Sequence, residues 1–202
     1  MVPVDGGGEG RNKGPMPRRF FELYDDLYVR GRWHLKNPTD SNGGRLDDWA
    51  FRHGRPVSFE ERLKILIEQN GKPLDFSETN SRIPIVHVKL ATVFSELARD
   101  DVQLLPVDIE GQPDQYLVLV ATRLIRCIDE KASKVQFWQP EDGLPDKVGQ
   151  YYAVDHMRVD KATIGDARVF RPEGWPGDLI VSEEIKDALE RMSATGAKFE
   201  EV

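Results

Sequence analysis

Cysteine is almost missing from this chain. Cys127 stands alone among 202 residues, so no internal disulfide and no cysteine-only zinc site can form. Its setting, Leu124-Ile125-Arg126-Cys127-Ile128, reads as a small apolar side chain packed inside. Long apolar runs are missing too: nothing approaches the roughly 18 residues that a membrane span needs, and the start of the chain lacks the apolar core of a signal peptide. Positive charge is in deficit, with 28 Lys+Arg against 35 Asp+Glu and a formal charge of −7. That balance argues against a protein built to coat DNA or RNA, which needs clustered cations, and against anionic membranes. Histidines are only four, His34, His53, His87 and His156, none three or four residues from another, so no local spacing prepares a metal site. His-Glu-x-x-His, Gly-x-Ser-x-Gly and calcium-loop patterns are absent. The expectation is a cytoplasmic protein with no cofactor.

What is present suffices for a folded body. Aromatics make up 9% of the chain, with abundant Val, Ile and Leu, and the length suits one domain. Residues 1–17 differ: Gly6-Gly7-Gly8-Glu9-Gly10 has nothing to bury and great backbone freedom, so a disordered tail is expected, with Met16 a candidate physiological start. A single domain is expected over 18–202. Within it, β-favouring residues predict strands at 19–24 and 27–30, and less decisively within 57–69. Further strands are expected at 102–109, at 116–120 continuing through 124–128, and at 135–138, 151–154, 157–159, 169–170 and 179–181, with a last edge strand after Ala197. Leu90, Val93, Phe94 and Leu97 form one stripe of a helix over about 87–98. A second helix over 183–192 is capped by Ser182, carries Glu183-Glu184 at its positive end and is ended by Gly196. Many short strands and two helices make an α+β protein with a mainly antiparallel sheet.

Acidic pairs are the plainest chemical feature: Asp25-Asp26, Asp47-Asp48, Glu60-Glu61, Asp100-Asp101, Glu183-Glu184 and Glu200-Glu201. Adjacent carboxylates on a strand face opposite ways, so such a pair is no acid–base dyad. Gathered on one face, some would form a negative patch that speeds encounter with a basic protein. Arg45, Arg52, Arg55 and Arg62, interleaved with Trp49, Phe51 and Phe59, resemble a base-stacking mixture, but Asp47, Asp48, Glu60 and Glu61 neutralise the stretch. His87, between two valines, reads as structural. A small hydrolase or modifying enzyme using His53, His87 or His156 with carboxylates is the alternative, as is a regulatory ligand-binding module.

Several segments carry a resemblance. Arg18-Arg19-Phe20-Phe21-Glu22-Leu23-Tyr24-Asp25-Asp26 and Gly31-Arg32-Trp33-His34-Leu35 open it. Gly71-Lys72-Pro73-Leu74-Asp75-Phe76, Val93-Phe94-Ser95-Glu96-Leu97 with Asp101-Val102-Gln103-Leu104, and Cys127-Ile128-Asp129-Glu130-Lys131-Ala132-Ser133 follow. Gly165-Asp166-Ala167-Arg168-Val169-Phe170-Arg171, Leu179 to Leu189 and Thr195-Gly196-Ala197-Lys198-Phe199 complete it. In this order over 18–202 the chain resembles a myxobacterial family, immunity protein family eleven of polymorphic toxin systems; residues 1–15 fall outside the resemblance. The resemblance implies a non-enzymatic antidote that binds a cognate toxin, encoded by the adjacent gene, and no set of contact residues comes with it. Exposure and charge then nominate Asp25, Asp26, Asp47, Asp48, Asp100 and Asp101 as toxin contacts. Trp33 and Trp49 are candidate anchors if exposed, although a core position is the more ordinary place for a tryptophan.

Overall fold

Six consecutive residues without a charged side chain, Tyr116 to Ala121, are all buried, and they form the central strand of one of two five-stranded sheets. The computed structural model describes residues 18–202; the tail expected at 1–17 lies outside them. The first strands are β1 (Phe20–Asp25), β2 (His34–Leu35), β3 (Leu63–Ile65), β4 (Ile67–Gln69), β5 (Phe76–Glu78), β6 (Pro84–His87) and β7 (Val102–Ile109). The rest are β8 (Tyr116–Ala121), β9 (Leu124–Ile125), β10 (Lys134–Phe137), β11 (Tyr151–Asp155), β12 (Val169–Pro172), β13 (Leu179–Ser182) and β14 (Ala197–Glu201). Helix α1 spans Val88–Leu97 and α2 spans Glu183–Arg191.

One sheet has the order β14-β1-β13-β12-β9 and the other β3-β7-β8-β6-β5. Two small pairs, β10-β11 and β2-β4, stand apart from them. Pairing is antiparallel except at β12-β9 and β3-β7, as the α+β expectation requires.

The two-residue period of a strand explains how three cores arise from two sheets. In β8, Leu117 and Leu119 turn toward a core shared with α1 and α2, while Tyr116, Val118 and Val120 join Trp33, Phe51 and Ile85 on the other face. In β13, Leu179 and Val181 join the shared core, while Ile180 meets Phe20, Cys127 and Phe170 on the outer face. Helix α1 contributes Leu90 and Phe94 and α2 contributes Ile185 and Leu189, so the helix stripes seal against both sheets. Truncating one of these buried side chains to alanine costs about 2–5 kcal/mol. Burial also pushes the Cys127 thiol up to about 12, in keeping with a packed rather than reactive cysteine.

Several local expectations are corrected. Residues 27–30 form a turn, because the Asp26 carboxylate accepts the Tyr28 amide at 3.1 Å and leaves Leu27 and Tyr28 exposed. β8 does not run on through 124–128: the chain crosses to the other sheet, where β9 pairs in parallel with β12. The strand expected at 157–159 is reduced to one bridge, Ile128 to Val159. Ser182 occupies the cap of α2, but its hydroxyl makes no cap bond. Gly196 does not end that helix, which closes at Met192. It takes φ +85° and lies so near the Phe76 carbonyl that a β-carbon would collide with it.

Candidate functional site

The six nominated aspartates separate once their surroundings are known. Asp25 is only 6% exposed. Arg32 donates to both its carboxylate oxygens, at 2.6 and 2.5 Å, and the Glu78 amide donates to it at 3.1 Å. Asp101, 5% exposed, accepts the Arg168 amide at 2.7 Å and the Arg123 guanidinium at 3.3 Å. Exposure was the ground for naming both, yet both are spent holding the fold together. Asp26, half-buried, holds its turn; Asp100 is exposed. Asp47 accepts the Trp49 amide at 3.0 Å and starts a short 3-10 helix, Asp48–Arg52. Asp48 accepts from Asn37 at 2.7 Å and from the Ser81 hydroxyl at 2.8 Å. Asp47 and Asp48 line a common hollow, of about 480 Å³, with Arg45, Trp49, Arg52 and Ser81.

Elsewhere the two sheets meet through charge. Arg82 lies 2.9 Å from Glu22, 2.9 Å from Asp178 and 3.6 Å from Glu78. Burial and then Asp178 push the Glu22 carboxyl up to about 7, against the pull of Arg82. Burial opposes the charge on Arg82, but Glu78, Asp178 and Glu22 outweigh it and raise its pKa. At Glu22, burial with a neighbouring carboxylate outweighs the guanidinium; at Arg82, three carboxylates around one guanidinium outweigh burial.

Two further arginines reach the same region without such partners. Arg171 is fully buried and donates through Nη1 to the Pro176 and Gly177 carbonyls, at 2.9 and 3.1 Å. Its Nε and Nη2, and the Nε of Arg52, have no hydrogen-bond partner among the described residues. Burial and then the charge of Arg52 lower Arg171 to about 10; burial and then Arg82 lower Arg52.

Arg52 connects the first hollow to a second, of about 380 Å³, lined among others by Trp49, Trp138, Lys147, Tyr151 and Trp175. Three of the four tryptophans therefore meet at one groove. Trp49 is 57% exposed, with the Arg52 guanidinium 5.3 Å above its ring. The Lys147 ammonium sits 5.1 Å from the Trp138 ring, which packs T-shaped with Tyr152, ring centroids 4.7 Å apart. Trp138 and Lys147 belong to the turn between β10 and β11, closed by mutual backbone bonds of Trp138 with Gln150 and Gly149 at 3.0 Å. Opposite them, Phe51 is buried and roots the Asp48–Arg52 turn in the core. Gly54 fixes the next residues, since a β-carbon there would stand 2.5 Å from Leu124 Cβ.

The histidines named for the enzyme alternative each have a separate setting. His87 caps α1, its Nδ1 accepting the Lys89 amide at 3.2 Å, and His53 and His156 occupy exposed turns. Among the described residues no three His, Cys, Asp or Glu are grouped to hold a metal ion. Trp33, the other candidate anchor, is buried and donates to Ser77 at 2.9 Å.

Sequence reasoning missed Trp138, Lys147, Tyr151 and Trp175 as members of one surface. The available signal was context: Trp138-Gln139-Pro140 and Trp175-Pro176-Gly177 set large aromatics among turn formers, outside any buried alternation.

A family model described as Immunity protein family (Imm11) matches residues 2–202. The match thus takes in the segment before residue 18 that the sequence resemblance left out. A search of curated proteins gives no match to the chain. No helix among the described residues is long and apolar enough to cross a membrane.

Proposed function

Because the chain belongs to the Imm11 immunity protein family, we propose that it neutralises a cognate toxin by direct, stoichiometric binding and carries out no reaction of its own. Family membership over residues 2–202 is the observation that carries this reading. Such a protein needs a preformed complementary surface of about 800 Å² per partner rather than reactive groups. The charge of −7 favours encounter with a basic toxin, as for toxins that act on nucleic acid. Asp26, Asp47, Asp48 and Asp100 remain proposed contacts. Asp25 and Asp101 leave that set: taking Asp25 from Arg32 would leave a buried cation unpaired, and Asp101 is buried and holds the Arg168 amide. The cytoplasm is the proposed location, where an antidote meets a delivered toxin.

The test is co-expression of the whole chain with the toxin encoded beside its gene. Growth is restored and the two proteins co-purify if the reading holds. A toxin that stays lethal and forms no complex refutes it.

A further inference from the structure

We infer that the groove between Trp49-Arg52 and Trp138-Lys147-Trp175 is the docking face, and that it receives a toxin segment presenting a carboxylate beside an apolar side chain. The inference rests on the antidote reading above and adds to it the place and the chemistry of contact.

Composition gives the first reason. Tryptophan, tyrosine and arginine are the residues that dominate binding energy where they cluster at the centre of an interface. Here Trp49, Trp138, Tyr151 and Trp175 cluster around Arg52. The rings lie at turns whose positions are already fixed, by Phe51 and Gly54 on one side and by the closed 138–150 loop on the other. Little ordering remains to be done when a partner arrives.

Charge gives the second reason and names the occupant. Glu22, Glu78 and Asp178, the acids at the sheet junction, are all engaged by Arg82. Arg52 lines the groove and stacks on Trp49, its unpaired Nε being buried, while Lys147 stacks on Trp138. Among the described residues neither cation has a carboxylate within ion-pair distance. A groove whose charged lining is Arg52 and Lys147 alone is complementary to an acidic side chain flanked by an apolar one. Two cations are too few to follow a phosphate backbone, and Asp47 and Asp48 line the adjoining hollow, so a protein segment fits better than a nucleic acid. Net and local charge thereby act at different ranges. The overall −7 governs approach, and the cationic groove governs contact.

The experiment measures affinity of the full chain for the toxin encoded beside its gene by calorimetry, with W49A, W138A and K147E as variants and K161E as a control on another exposed turn. Circular dichroism and urea midpoints establish that each variant is folded. The groove variants are expected to lose about 30-fold in affinity or more, the scale of an interface hot spot, with K161E unchanged. A toxin in which one acidic residue is replaced by lysine should regain affinity for K147E, an outcome that loss of fold would not produce. Wild-type affinity in folded W49A, W138A and K147E would overturn the groove while leaving the antidote reading intact. Failure of the wild-type chain to bind or protect would overturn both. Binding of a single-stranded dT20 oligonucleotide that W138A abolishes would overturn the choice of a protein segment.

Discussion

Arg82 and Arg52 stand in the same part of the molecule, close enough for each to act on the other's charge, and their circumstances are opposite. Arg82 is shared by Glu22, Asp178 and Glu78, and its pKa rises. Arg52 has no such carboxylate, keeps an idle Nε–H, and its pKa falls. A guanidinium saturated by the chain's own acids works for the fold. One with a buried, unpaired Nε beside a tryptophan costs the fold something, and on the docking inferred above it is the cation that a partner meets. Charges that look equivalent in sequence are thus divided between cohesion and recognition by which of them find partners inside the chain.

The sharpest way to break this contrast is at its fully internal extreme. R32A leaves Asp25 buried without its guanidinium and is expected to cost about 3–5 kcal/mol in urea unfolding. R82A should cost less, about 2 kcal/mol, because Arg82 is 41% exposed and water screens what remains. Next comes the shared proton. Glu22 holds its proton more tightly in the fold, at about 7 against a usual 4.5, so the folded state binds more protons than the unfolded one between those values. Its contribution to stability is therefore complete below about pH 4.5 and is lost as pH rises through about 7. E22Q should flatten this part of the profile, so that its urea midpoint exceeds that of the wild type more at about pH 8 than at about pH 5. An unchanged profile would remove Glu22 from the network. The smallest expected effect on stability is that of R52Q, within about 0.5 kcal/mol. The same variant should lose about tenfold in toxin affinity. A large stability loss in R52Q, without loss of binding, would place Arg52 beside Arg82 as a structural residue.

Some of this was legible in the sequence for definite reasons. The unbroken apolar run from Tyr116 demands burial on both faces, and the Leu90-Val93-Phe94 stripe fits only a helix. β5 and β6 went unread because Ser77, Glu78 and His87 interrupt their apolar pattern. Pairing between distant charges left no local trace. Nothing near Asp101 announces Arg123 or the amide of Arg168, and Asp25 gains its arginine seven residues later through a turn that propensity read as a strand. The groove was hidden for the same reason, since Trp49, Trp138 and Trp175 meet only after the chain has built both sheets. What local pattern fixes is periodic burial. What it omits is the chance of meeting, which topology decides.

Gly54, seated against Leu124, gives the molecule a temporal property. With the turn beside the groove fastened to β9, that wall of the proposed docking face is in place before contact is made. Capture is then paced by diffusion and orientation, and related partners differ mainly in how long they stay. For an antidote, residence time is the quantity that counts, since a toxin released even briefly resumes its work. On the proposed docking, a glycine with no side chain of its own thus spares the complex the cost of ordering that wall.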